Sequence, residues 1–333
     1  MTTTGTPAAA PAATPFRART RYVPVLVTLA LLVAMFAAGS ARYEGFASGQ
    51  VVLNVFIDNA FLLVVAVGMT FVILTGGIDL SVGGVVALTT VLSAWLLERQ
   101  DWPAPAVILL ALLLGTALGL GMGAVIHYFE IQPFIVTLAG LFLARGLANT
   151  ISTRSTAIND PTFRTLGLEA VPLPGDLQVT WSVVIALVAV AVAAYVLHQT
   201  RFGRTVYALG GSAPSATLMG LPVSRTRILV YGVSGFCSAL GGLLLTLYTL
   251  SGNNLNAIGL ELDAIAAVVI GGTLLVGGSG YVLGTVLGVL TLGLIQTIIT
   301  FQGTLSSWWT RIFIGVLLLA FVLFQRVIAP RSS

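Results

Sequence analysis

The amino-acid sequence predicts an all-α polytopic membrane protein with about ten transmembrane helices, some of them broken or re-entrant. Three observations predict it. Of 333 residues, 57% are hydrophobic and only 8% are charged, whereas soluble domains carry about 25% charged residues. Mean hydropathy is +1.02. Apolar runs of about 20 residues, the length that crosses a bilayer as a helix, recur from Tyr22 almost to the C-terminus. A water-facing exterior cannot be built from this inventory, so most of the surface faces lipid.

The elements follow in order. Residues 1–21, rich in Thr, Ala and Pro, read as a flexible cytoplasmic tail. Residues 22–328 read as a single transmembrane domain. Spans are expected at 22–40, 52–75, 81–97, 104–126, 132–150, 180–198, 228–250, 262–276, 282–300 and 308–326. The first lacks a small-residue cleavage site and reads as uncleaved. The third and eighth adjoin Gly-rich breaks, and these two are expected to be the broken or re-entrant ones. With both termini in the cytoplasm, nine arginines fall inside and four outside, while Arg145 and Arg311 lie within spans near their outer ends. This arrangement satisfies the positive-inside bias. It places loop 151–179 on the outer side and loop 199–227 on the cytoplasmic side.

Several chemistries are excluded. The sequence has no lysine, so it cannot form a phosphate loop ending in Gly-Lys-Ser/Thr. Cys237 is the single cysteine and forms no disulfide within the chain. His127 and His198 lack metal-ligand spacing. No nucleophile–base set is evident, so the expectation is a chain with no catalytic residue, metal or cofactor of its own. The net charge of +4 orients the protein in the membrane and does not point to nucleic acid.

Three segments carry information. In Gly68–Gly84, four glycines surround Asp79. Asp79 and Ser81 are placed to cap the next helix. Upstream, Asn54, Asp58, Phe61, Val65, Gly68, Val72, Thr75 and Asp79 follow steps of three and four, which puts them on one face of a continuous helix. An Asp facing lipid at a bilayer centre costs about 2.5–3.5 kcal/mol. That face therefore looks toward protein or an aqueous path, and helix packing and solute contact are both open to it. In the inner loop, Gly210 and Gly211 end the preceding structure. Ser212 can cap a new helix, Pro214 suits its first turn, Gly220 ends it and Pro222 blocks its continuation. A two-turn helix at about 213–219 results, too short to be stable alone. It must lie on its own bundle or in a partner's groove. In Glu261–Gly280, glycine pairs loosely echo Gly76-Gly77 and Gly83-Gly84. Glu261 and Asp263 start a span, where acids favour the positive helix end and capping is the expected role. Gln296 sits mid-span and needs a partner. Trp308 and Trp309 fit an interfacial belt.

These segments together resemble the monosaccharide permeases of bacterial ABC importers, the ribose, xylose and galactofuranose group. The matching pieces are Gly76-Gly-Ile-Asp-Leu-Ser-Val-Gly83, Arg201-Phe-Gly203 with Gly210-Gly211 and Gly220, and Asp263-Ala-Ile-Ala-Ala-Val-Val-Ile-Gly-Gly272. They run in the family's order, and the likeness covers nearly everything from about residue 50. Val67–Leu74, Phe134–Gly140 and Gly303–Trp309 look most like a galactofuranose permease. The resemblance implies a coupling helix that receives movement from the ATPase, formed by Gly211, Ser212, Ala213, Pro214, Ser215, Leu218, Met219, Gly220 and Leu221. The family often has an acid followed by two small residues before its glycine. Here Ala213, Pro214 and Ser215 stand there and the acid is missing. The resemblance also implies cytoplasmic ABC ATPase subunits holding Mg-ATP, an extracytoplasmic sugar-binding protein and a second permease, a related chain or a second copy. Candidate pathway residues are Asn54, Asp58, Phe61, Thr75, Asp79, Phe134, Thr137 and Gln296. An ion-coupled secondary transporter and a sugar channel are the alternatives.

Overall fold

The computed structural model describes residues 22–304, 306 and 308–328, the last three by backbone alone; the tail expected at 1–21 lies outside them. Thirteen helices and four short strands are formed by the described residues. The helices are α1 (Val23–Arg42), α2 (Gly49–Leu74), α3 (Val82–Arg99), α4 (Ala104–Tyr128), α5 (Pro133–Ile151), α6 (Pro161–Leu168), α7 (Trp181–Gln199), α8 (Arg201–Gly211), α9 (Ala213–Leu218), α10 (Val223–Thr249), α11 (Leu260–Ile270), α12 (Val282–Gln302) and α13 (Trp308–Ile328).

Nine of these are long and apolar enough to cross a membrane: α1–α5, α7, α10, α12 and α13. The chain is a polytopic all-α membrane protein. Of the two spans expected to be irregular, the third is an unbroken helix, and that expectation is corrected. Its glycines, Gly83 and Gly84, serve close packing: a Cβ at Gly84 would sit 2.8 Å from the Leu141 carbonyl of α5. The eighth is broken. Eleven-residue α11 is about 16 Å long, and an irregular Gly-rich segment, 271–281, carries the chain on to α12.

Layering follows composition. The apolar window of α2 is 83% buried, against 11% for α1 and α13. α1 is apolar over most of its surface, whereas the inner helices carry small residues where neighbours approach. Gly115, Gly119 and Gly123, spaced at four, face α10, and a Cβ at Gly123 would lie 2.8 Å from the Ile228 carbonyl. Between membrane helices, where no hydrophobic force separates protein from lipid, such backbone proximity supplies the packing energy.

The long connection between α5 and α7 is an ordered cap. Its strand β1 (Thr156–Ala157) pairs antiparallel with β4 (Ser251–Gly252) of the connection between α10 and α11, and its strands β2 (Ala170–Leu173) and β3 (Leu177–Thr180) pair with each other. Asp160 caps α6 through the Phe163 amide at 3.0 Å. Ile158 and Phe163 are buried beneath it.

Candidate functional sites

Where α8 and α9 meet the bundle, three glycine pairs converge. α8 starts at Thr200, whose hydroxyl accepts from the Gly203 amide at 3.2 Å. It lays Val206 and Leu209 on the bundle and leaves Arg201 and Arg204 outward. Its last residues touch the end of α2 and the segment after α11 through backbone alone. The Gly278 amide donates to the Leu74 carbonyl at 2.9 Å. A Cβ at Gly277 would come 2.7 Å from the Gly76 amide, one at Gly278 would come 3.0 Å from Gly211 Cα, and one at Gly210 would collide with Leu74 and Gly278. Gly277 and Gly278 have φ of 89° and 75°, a region open to glycine at little cost. The Tyr207 hydroxyl donates to the Gly280 carbonyl at 2.7 Å and pins the same segment.

From this junction projects α9. Ser212 accepts from the Ser215 amide at 3.3 Å, Pro214 occupies the first turn and Gly220 stops the helix with φ 72°. The helix expected at 213–219 is thus present over 213–218. Ala216 is buried against the body, while Leu218 and Met219 are 90% and 67% exposed. Two large apolar side chains thus project from a short capped helix.

Asp79 has a different place from the one its sequence position suggests. It lies beyond the end of α2, which stops at Leu74 with Thr75 as its C-cap. The polar stripe therefore does not continue to Asp79. Nor does Ser81 cap α3, for it makes no side-chain cap bond. Instead, fully buried Asp79 Oδ1 accepts from the Ser81 amide at 2.9 Å and the Ser81 hydroxyl at 2.6 Å. Its Oδ2 accepts from the Ser234 hydroxyl of α10 at 2.6 Å. A carboxylate shut away from water needs such donors, and here they sew loop 75–81 to α10. The Thr137 hydroxyl of α5 lies 3.2 Å from the Ile78 carbonyl of the same loop. Glu261 and Asp263 are also not caps. α11 has Gly259 as its N-cap, with both acids in the first turn and no side-chain cap bond.

The half of the bundle away from α9 holds a cavity of about 340 Å³ between α2, α11, α12 and α13. Asn59, Leu62, Asp263, Leu292, Gln296, Trp308, Thr310, Arg311 and Ile314 line it. Beside it, the two in-span arginines grip the connection ahead of α11. Arg145 donates to the Asn254 and Asn256 carbonyls at 2.7 Å and to Ala257 at 2.8 Å. Arg311 reaches the Ile258 carbonyl at 3.4 Å. On the α9 side, a second cavity of about 440 Å³ is lined by Thr75, Gly76, Gly77, Glu130, Arg227 and Tyr231, among others.

The pathway residues expected from sequence are therefore not one site. Asp79 and Thr137 meet at one loop, Thr75 lines the α9-side cavity and Gln296 the opposite one. Exposed Asn54 accepts from Gln50 at 2.9 Å, and exposed Asp58 from the Tyr248 hydroxyl at 3.0 Å. Phe61 packs partly buried against the core, and Phe134 is exposed on α5. Asn59, Thr310 and Arg311 were missed as cavity residues, and Trp308 was assigned to the interface. The available signal was a mid-span amide at Asn59, one residue from the stripe that was chosen.

The described residues thus form a polytopic membrane bundle with one glycine-broken span and a short capped helix projecting beside it. Comparison with known proteins agrees. Residues 51–322 match the family described as branched-chain amino acid transport system / permease component. The inner membrane ABC transporter permease protein YjfF of Escherichia coli is 46% identical over 92% of both chains. The fructose import permease FruG of Bifidobacterium longum is 42% identical over 94% of this chain and 93% of its own. The ribose import permease RbsC of Haemophilus influenzae is 36% identical over 90% and 93%. No solved structure matches. The chain belongs to this family of ABC importer permeases.

Proposed function

We propose that this chain is the membrane-spanning subunit of a binding-protein-dependent ABC importer that carries a monosaccharide inward. Two relatives are named for sugars, fructose and ribose, which favours a sugar over the amino acids of the family's title. Within that class, the resemblance of Val67–Leu74, Phe134–Gly140 and Gly303–Trp309 to a galactofuranose permease supports a galactofuranose-like pentose or hexose. The α9 side faces the cytoplasm, as the arginine distribution requires, and both termini lie there. ATP with its magnesium is held and hydrolysed by a partner ATPase. A sugar-binding protein docks on the opposite face, and a second permease, a related chain, completes the pathway.

The observation that carries this reading is the α9 knob and its seat. Leu218 and Met219 present an apolar surface to solvent, and behind them backbone touches backbone at Gly210, Gly277 and Leu74. Movement of a partner groove holding α9 would pass directly to the turn of α2 and to the segment after α11. The channel reading gives this helix no purpose. Asp79, the acid singled out for ion coupling, is enclosed by Ser81 and Ser234 rather than open to a pathway.

Sugar uptake into vesicles, with the chain co-expressed with candidate ABC ATPase and sugar-binding-protein partners, tests the proposal. ATP-dependent uptake is expected. Uptake driven by an ion gradient without ATP would overturn the reading. Leu218→Asp should uncouple ATP hydrolysis from uptake while leaving the folded yield unchanged, and normal coupled transport in that variant would remove α9 from its role.

A further inference from the structure

Polar side chains inside a membrane protein are normally spoken for. In the described residues, Tyr248 donates to Asp58, Ser234 to Asp79 and Gln325 to the Val269 carbonyl. The cavity between α2, α11, α12 and α13 gathers several polar side chains that are open to it. Asp263, Gln296 and Thr310 line it, and their side chains form no hydrogen bond among the described residues, while Asp263 lies within electrostatic reach of Arg311. Asn59 uses one amide hydrogen on the Val55 carbonyl at 2.9 Å, leaving its oxygen without a protein donor. Arg311 makes its 3.4 Å contact with Ile258 and retains other N–H donors. One wall is the ring of Trp308, and Leu62, Leu292 and Ile314 fill the rest.

We propose that this cavity is a sugar-binding subsite on the outer half of the pathway, a deepening that rests on the sugar-import reading above. Its chemistry fits a neutral polyol. Vicinal hydroxyls each donate and accept, and the cavity offers acceptors at Asp263 and Asn59, donors at Arg311, and groups of both kinds at Gln296 and Thr310. An aromatic wall suits the apolar face of a sugar ring. About 340 Å³ lies at the small end of ligand sites, enough for one monosaccharide and its waters. Four of the polar positions come from different elements, so no single helix needs these side chains for its own folding. Passage also requires that the sugar leave again, and a site that is polar, open and partly apolar holds it weakly.

The test uses the full chain in phosphatidylethanolamine/phosphatidylglycerol nanodiscs, with cysteine introduced as Thr310→Cys. Cys237 is buried, so maleimide labelling reports the cavity. D-ribose, D-fructose, D-galactose and L-leucine are added separately. At least one sugar should slow labelling of Thr310→Cys by at least about threefold and leave Gln178→Cys, exposed on the cap outside the cavity, unchanged. Adding Gln296→Leu should raise the sugar concentration needed for protection about fivefold, the effect of one lost hydrogen bond. Circular dichroism and size exclusion select folded variants, and Asp263→Asn is the second variant if Gln296→Leu fails to fold. The proposal is overturned if no sugar protects, if L-leucine alone protects, if only a change of lipid alters labelling, or if protection is unchanged in the cavity variant. Loss of protection with intact ATP-driven uptake removes this subsite alone; absence of ATP-driven uptake in the wild type removes the parent reading.

Discussion

The two ends of the bundle are built on opposite rules. At the α9 end, Gly76, Gly210 and Gly277 bring three segments together with no side chain between them. At the other end, Asn59, Asp263, Gln296 and Arg311 stand around open space. The difference is one of stiffness. Backbone against backbone has no rotamers to absorb a displacement, so it transmits one. Long polar side chains around a void can rearrange, so they can accept a solute and release it. A single chain thus holds a stiff end and an adaptable one.

Four substitutions break or sharpen this contrast, and thermal or denaturant unfolding of the purified chain measures each. Gly210→Val has the largest expected effect. Its side chain would be driven into Leu74 and Gly278, and separating these backbones should cost about 3 kcal/mol or more. Asp79→Ala comes next, at about 2 kcal/mol, because it strands the buried hydroxyl of Ser234 and the amide of Ser81. Gly220→Ala should cost about 1 kcal/mol through its left-handed backbone alone, since open space surrounds it. Leu218→Asp should stay within about 0.5 kcal/mol, as expected for an exposed site. If Gly210→Val unfolds no more easily than Leu218→Asp, the junction is loose and the contrast fails.

Much of the α9 end was legible in sequence because its signals are local. Ser212, Pro214 and Gly220 each act within three or four residues, and the helix appears one residue shorter than expected. α8 before it went unrecognised, since Gly203, Gly210 and Gly211 are poor helix formers; only the surface beneath stabilises it. Asp79 was misjudged for the complementary reason. Capping is a local default, whereas its bond to Ser234 spans 155 positions. The opposite cavity was illegible in the same way: Asn59 and Gln296 line it from separate helices, and nothing near either residue announces the other.

By itself, the sequence determined that this protein lives in a bilayer, roughly where its spans run and where a short capped helix projects. Those properties depend on hydropathy summed over some 20 residues and on backbone groups satisfied within a helix. Only the tertiary structure decided which face of each helix turns inward, that the eighth span breaks while the third does not, and that Asp79 joins α10. A helix's rotation about its own axis is set by contacts with helices distant in sequence, and α2 carries polar groups on more than one face. Packing, through glycine seams that admit one close approach, selected among them.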